Sequence, residues 1–137
     1  MFQTINIETS GRQMLVLISD EVRRVVRESG HAEGLCVIFC PHSTAGLTIN
    51  SYLDPDTALD LRHELDRLVP TRVDFIHTVD TPSDAAGHVK ATLVGSQLTL
   101  IVHDGNPVLG SSQGLFFCEF DGPRRRQVYV KVLADPK

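Results

Sequence analysis

Residues 35–40, Leu-Cys-Val-Ile-Phe-Cys, are apolar without interruption, and Pro41 follows them directly. Six residues are too few for an amphipathic helix and far short of the roughly 20 that span a bilayer. An unbroken run of this length reads as a strand covered on both faces, ended where proline withdraws its N–H. Leu98–Val102 repeats the pattern but for Thr99, and Leu115–Phe120 repeats it with one intruder, Glu119. Residues 127–133 alternate instead, with Val128, Val130 and Val132 on one face. Residues 3–9 and 12–18 alternate around Ser10-Gly11 and read as a β-hairpin. Residues 45–50 and 73–77 are further short strand candidates.

Three helix signals are interleaved with these strands. Ser19 is the expected cap of a helix with Asp20 and Glu21 in its first turn, Val22, Val25 and Val26 on its apolar face and Gly30 at its end. Asp54-Pro55 starts a second, running to about Leu68 with Ala58, Leu61, Leu65 and Leu68 on one face, before Pro70. Thr81-Pro82-Ser83-Asp84 starts a third, over by Gly95. Seven or eight strands and three helices in mixed order describe an α+β fold, without the strand–helix alternation of a doubly wound sheet. The 137 residues show no linker or repeat, so one domain over 1–137 is expected, burying roughly two-thirds of its unfolded surface.

Charge narrows the function classes. With 13 basic and 17 acidic side chains and a basic cluster of only Arg124, Arg125 and Arg126, the chain lacks the patch that nucleic acid or an anionic membrane would need. The first residues carry neither the charged nor the apolar region of a signal peptide, and three Cys without a CxxC pair give no disulfide framework. A cytoplasmic protein is expected, with Cys36, Cys40 and Cys118 as small buried hydrophobes.

Chemistry concentrates at four places. His42-Ser43-Thr44 follows the first buried strand and offers a ring nitrogen and two hydroxyls at a strand end; the plain alternative is a turn that satisfies its own backbone. His77 and His88 flank the start of the third helix, and Asp84 lies one turn before His88, where its carboxylate can orient the imidazole or merely cap the helix. Glu119, inside an apolar strand, must be ion-paired, protonated, metal-bound or turned to solvent, and one of the three following arginines could pair with it. His103 ends another strand, whereas His31 and His63 read as solvated. The segment 110–114 fits G-x-S-x-G but precedes a strand rather than a helix, and no His follows it, so it is no nucleophile elbow. A flexible loop is the better reading for 105–114.

Taken together, His42 through Asn50, Asp54-Pro55, His77, Asp84 through His88 with Lys90, Gly95-Ser96, Gly110 with Gln113-Gly114, and Glu119 with Asp121 through Arg124 resemble the YjbQ family. The match spans nearly the whole chain in order. The resemblance implies a β-sandwich-like core of mixed sheets, a homotrimer, and a weak thiamine-phosphate synthase activity joining an aminopyrimidine diphosphate to a thiazole phosphate. It implies catalytic roles for His42, Asp84, His88 and Glu119, and a phosphorylated small molecule bound by Ser43, Thr44, Asn50, Lys90, Gln113 and Arg124. It also implies a divalent metal, zinc or magnesium, on His42, His77 and His88. Relatives commonly carry Glu at Ser51 and Trp at Ser112; without that Trp, an aromatic platform would fall to Phe116 or Phe117. A metal-assisted hydrolase of a small phosphorylated or cyclic metabolite and a non-catalytic metabolite- or anion-binding module are the competing readings.

Overall fold

A computed structural model describes residues 2–72, 75–76 and 82–137. In chain order its elements are β1 (Phe2–Glu8), β2 (Met14–Leu17), α1 (Ser19–Ser29), β3 (Gly34–Phe39), β4 (Ala45–Ser51), α2 (Pro55–Leu68), α3 (Pro82–Val94), β5 (Gln97–His103), β6 (Asn106–Pro107), β7 (Gln113–Glu119) and β8 (Arg125–Ala134). The α+β class stands, with three helices and eight strands among the described residues.

The strands form two sheets, ordered β1-β8-β3-β5-β6 and β2-β7-β4. Every pairing is antiparallel, so the mixing lies in element order and not in strand direction. Period-2 alternation decides what lies between the sheets. Val128, Val130 and Val132 of β8 point inward, as do Ile5 and Ile7 of β1, Cys36 and Ile38 of β3, and Leu100 and Val102 of β5. Ala45 and Leu47 of β4, with Leu115 and Phe117 of β7, meet them from the smaller sheet, and Val22, Val25 and Val26 of α1 close the same core. All three cysteines are free and buried. No helix among the described residues is long and apolar enough to cross a membrane.

Three expectations are corrected. The hairpin over 3–9 and 12–18 does not form: β1 pairs with β8 and β2 with β7, in different sheets. Ser10-Gly11 therefore marks a crossing between sheets, and long-range pairing overrides the local turn signal. Ser19 is the first residue of α1, with Ile18 at the cap position and no side-chain cap bond; the Ser19 hydroxyl instead accepts the Leu115 N–H at 2.9 Å. Finally, β3 is buried on one face only. Leu35 and Phe39 remain 45% and 42% exposed on the outer face of the larger sheet. Its unbroken apolar run reflects an outward surface that is itself apolar.

The other start and stop signals hold. Asp54 accepts the Asp56 N–H at the start of α2, and Gly30 closes α1 in the left-handed conformation at φ 73°. The apolar stripe of α2 is only half-covered, and none of its residues is buried. Helix α3 lies on the smaller sheet. An added Cβ at Gly46 would stand 2.6 Å from the Gly95 carbonyl oxygen, and one at Gly87 would stand 3.1 Å from that of Phe120, so both glycines permit this close approach. The strand expected over 73–77 lies largely outside the described residues, and Phe75 and Ile76 belong to no strand. The loop 105–114 contains the short β6, and Gln113 closes its far end by accepting the Gly110 N–H.

Candidate functional site

The site stands on a buried ion pair that joins the two sheets. Alternation carries Leu115 and Phe117 inward on β7 and therefore Glu119 too. On β8 it carries Val128 inward and therefore Arg126. Glu119 is fully buried, and Arg126 grips both of its oxygens, donating from Nε to Oε1 at 2.8 Å and from Nη2 to Oε2. The Thr9 hydroxyl donates to Oε1 at 2.7 Å, and the Phe120 and Asp121 N–H groups donate to Oε2. Burial pushes the Glu119 carboxyl up, but the Arg126, Thr9 and Asp121 hydrogen bonds overrule it and hold it below the ordinary carboxylate range. Glu119 is thus the paired carboxylate, with Arg126 as its partner, and it shapes the site without reaching its surface. Removing one partner of such a pair typically costs about 3–5 kcal/mol.

Arg126 transmits this anchoring upward. Its Nη2 also donates to the Thr44 hydroxyl at 2.9 Å, and the Thr44 carbonyl accepts the Phe120 N–H. Thr44 is therefore buried structure, while Ser43 beside it is exposed. His42 is fixed by a different device. Pro41 stands where the register of β3 with β8 would place the partner of Gln127, and proline has no N–H to offer. The His42 imidazole fills that ladder position: Nε2 accepts the Gln127 N–H at 2.9 Å and lies 3.1 Å from the Gln127 carbonyl oxygen. An Nε2 that accepts leaves the ring proton on Nδ1. Burial first, and the Arg126 charge second, lower the His42 pKa and favour this neutral form.

Opposite His42, α3 supplies the second wall. Asp84 is buried and its Oδ2 lies 3.3 Å from Nε2 of His88, one turn later on the same face. A carboxylate so placed fixes the imidazole and leaves Nδ1 to face other groups. The cleft between His42-Ser43 and the α3 face bearing His88, Thr92 and Gly95 has a volume of about 330 Å³. Arg124 lies nearby, held to Asp121 through Nη2 at 2.8 Å; that hydrogen bond, chiefly, raises its pKa, and the charges of Glu119 and Asp84 add to it. On its other side His42 borders a cleft of about 550 Å³ at the ends of β1 and β8.

Thus His42, Ser43, Thr44, Asp84, His88, Glu119 and Arg124 gather at one end of the smaller sheet. Asn50 and Gln113 do not join them. They sit at the opposite end of the β4–β7 ladder, where Ser51 faces Gln113, and six strand steps make that separation about 20 Å. There Asn50 accepts the Ser51 N–H. Lys90 is completely buried and donates to Asp66 and Gln13 rather than facing the cleft. Phe116 and Phe117 are buried, so neither serves as a surface platform; the exposed aromatic ring beside Ser112 is Tyr52, whose N–H the Ser112 carbonyl accepts. His77, like the expected cap Thr81, lies outside the described residues. His103 pairs with Glu33 away from this cleft. Of the three arginines that the sequence offered as partners of Glu119, the structure selects Arg126, the one that alternation along β8 points inward.

The described donors fit a metal in part. His88 with Asp84 behind it suits a ligand position, because a carboxylate partner orients the ring and raises its basicity. His42 offers no lone pair toward an ion while Nε2 accepts from Gln127.

The chain as a whole is similar to known proteins. Residues 3–135 match the family model described as UPF0047 protein YjbQ-like. A UPF0047 protein of Methanocaldococcus jannaschii is 45% identical over 129 residues, covering 94% of this chain and 91% of that protein. The UPF0047 protein YugU of Bacillus subtilis is 38% identical, covering 97% and 99%. A crystal structure of a YjbQ/UPF0047 family protein from Clostridium acetobutylicum superposes with a TM-score of 0.91 at 40% identity, covering 96% of this chain and 99% of that one. The crystal structure of a YbjQ-like protein of unknown function from Sulfolobus solfataricus gives 0.93 at 30% identity, covering 98% and 97%. By sequence over almost its whole length and by fold, the chain belongs to the YjbQ-like UPF0047 family.

Proposed function

We propose that the protein is a small-metabolite enzyme that works at the His42–His88 cleft, with His88 as general acid–base and Asp84 as the group that orients it. The observation that carries this reading is the 3.3 Å contact of Asp84 with His88 on one wall, facing His42 and Ser43 on the other. An imidazole oriented by a carboxylate has the two ring nitrogens that general acid–base catalysis uses, one held and one facing the substrate. The wall opposite it is rigid because the Glu119–Arg126 pair holds Thr44. The substrate class that suits Arg124 and the Ser43 hydroxyl is a phosphorylated small molecule.

The reaction we propose is a thiamine-phosphate synthase-type condensation at low rate. The thiazole nitrogen forms a bond to the pyrimidine methylene carbon, the carbon–oxygen bond to the diphosphate breaks, and pyrophosphate departs with the electron pair. Arg124 neutralises the departing charge, and protonated His88 donates to the leaving oxygen. A divalent ion, zinc or magnesium, would supply further charge neutralisation there. Pyrophosphate release from the two substrates is the direct assay. His88→Gln and Asp84→Asn should each lower turnover about a hundredfold. Unchanged turnover in both variants, or no turnover in the wild type, overturns the reading.

We further propose that the chain assembles as a homotrimer and resides in the cytoplasm. The apolar outer face of the larger sheet supports self-association, and three unpaired buried thiols suit a reducing compartment.

A further inference from the structure

Lys90 follows His88 by two residues, about 200° around α3, and so leaves the His42–His88 cleft behind. Its ammonium is wholly buried, donating to Asp66 Oδ1 at 2.6 Å and to Gln13 Oε1 at 2.7 Å. Gln13, also buried, donates in turn from Nε2 to the Arg62 carbonyl at 3.1 Å. These bonds join α3, α2 and the segment between β1 and β2, and they form the floor of a separate cleft of about 430 Å³. Gly11, Arg12, Gln13, Arg62, His63 and Asp66 line it. That volume is within the range of small-molecule sites.

Among the described residues the basic groups at this cleft outnumber the acidic ones: Lys90, Arg12 and Arg62 meet one carboxylate, Asp66. Asp66 spends Oδ1 on Lys90 and reaches Arg12 through Oδ2 only at 3.5 Å, the limit of a hydrogen bond. The Arg62 guanidinium has no ion-pair or hydrogen-bond partner among the described residues, and Glu64 on the same helix is occupied by Arg67. Arg62, His63 and Asp66 lie at positions i, i+1 and i+4 and share a helix face. Two planar guanidinium forks with free donors match the oxygens of a tetrahedral dianion, and a ring N–H of the imidazole beside them adds a third donor.

We propose that this cleft is an anion site that takes the phosphate group of a small phosphorylated molecule, gripped by Arg12 and Arg62 with His63 beside them. It is distinct from the His42–His88 cleft and stands whether or not that cleft is catalytic. Because α2 has no buried residue of its own, a ligand bridging Arg12 to Arg62 also fastens α2 to the body of the fold.

The test is a titration of the full chain with inorganic phosphate at constant ionic strength, followed by amide chemical shifts and hydrogen exchange. Saturable shifts are expected at Gly11, Arg62 and His63, with slower exchange along α2. Arg62→Ala and Arg12→Ala should each weaken binding at least about tenfold, the loss of one charge-assisted hydrogen bond. His88→Gln should leave these shifts intact. The proposal is overturned if the shifts do not saturate, if chloride alone reproduces them, if both arginine variants bind as the wild type does, or if saturation occurs only around His42 and His88.

Discussion

His42 does two things with one ring: it completes the β8 ladder where Pro41 cannot, and it borders two clefts. Its neutrality is tied to folding, and the sign of the pH effect follows. Burial, then Arg126, place the folded pKa below the ordinary 6.5, while the Gln127 carbonyl and Glu119 oppose them only partly. Above pH 6.5 both folded and unfolded chains keep the ring neutral, and this group adds no pH dependence. As pH falls through 6.5 the unfolded chain takes up the proton first, so stability drops until the folded pKa is crossed, by up to about 1.4 kcal/mol per pH unit. His103 works the other way. Its hydrogen bond to Glu33 raises its pKa, so its contribution is complete below 6.5 and fades as pH rises through the folded value. Urea unfolding of wild type and His42→Gln from pH 7.5 to 5 separates the two, since only the His42 contribution vanishes in the variant. The wild type should lose more stability than the variant over the acidic half of that range; parallel curves would show that the ring is not held neutral.

Among the elements, α3 depends on small residues where it meets the smaller sheet. Gly46 on β4 lies so close to the end of α3 that a Cβ would stand 2.6 Å from the Gly95 oxygen and 3.1 Å from Val94 Cγ1. The Leu47 N–H also donates to that Gly95 carbonyl at 3.0 Å, so the contact cannot open without losing a backbone hydrogen bond. Gly46→Ala should therefore destabilise the protein by about 1–3 kcal/mol, as overpacking does, and displace the α3 wall that carries His88. Thermal unfolding gives the first effect, and turnover at a temperature where the variant is fully folded gives the second. Helix ends were legible in the sequence because capping and proline act locally: Asp54-Pro55 and Gly30 stand where they were expected. The partners of β1 and β2 were not, because Ser10-Gly11 says that the chain turns but not which strand it meets next. The site was partly legible for the same reason. His42-Ser43-Thr44 and the Asp84–His88 turn are local patterns. The Glu119–Arg126 pair was legible only by extending two alternations to a meeting point between sheets, and the withdrawal of Lys90 into a bond with Asp66 leaves no local trace.

At the scale of the molecule, the outer face of the larger sheet is what a single chain does not explain. Register places Ile101, Leu35 and Leu133 side by side across β5, β3 and β8, and all three are exposed. Two residues along β3, Val37 stands beside Lys131, whose other neighbour is the exposed Phe2. Two further along, Phe39 stands beside Tyr129. The Phe2 and Tyr129 rings pack 5.4 Å apart, extending the same surface. Exposed apolar side chains clustered in this way, around Thr99, Lys131 and Gln97, rarely remain in water on a monomer, and they cluster here because polar alternation fails on β3. Leu35 is at the centre of the row, so a charge there meets any partner seated on the face while leaving the inner core untouched. Leu35→Glu should convert the proposed trimer to single chains, measured as mass by light scattering, with circular dichroism unchanged. The unfolding midpoint of the wild type should rise with protein concentration and that of the variant should not. A wild type that runs as a single chain at micromolar concentration would leave this apolar face to some other partner and remove the trimer from the account.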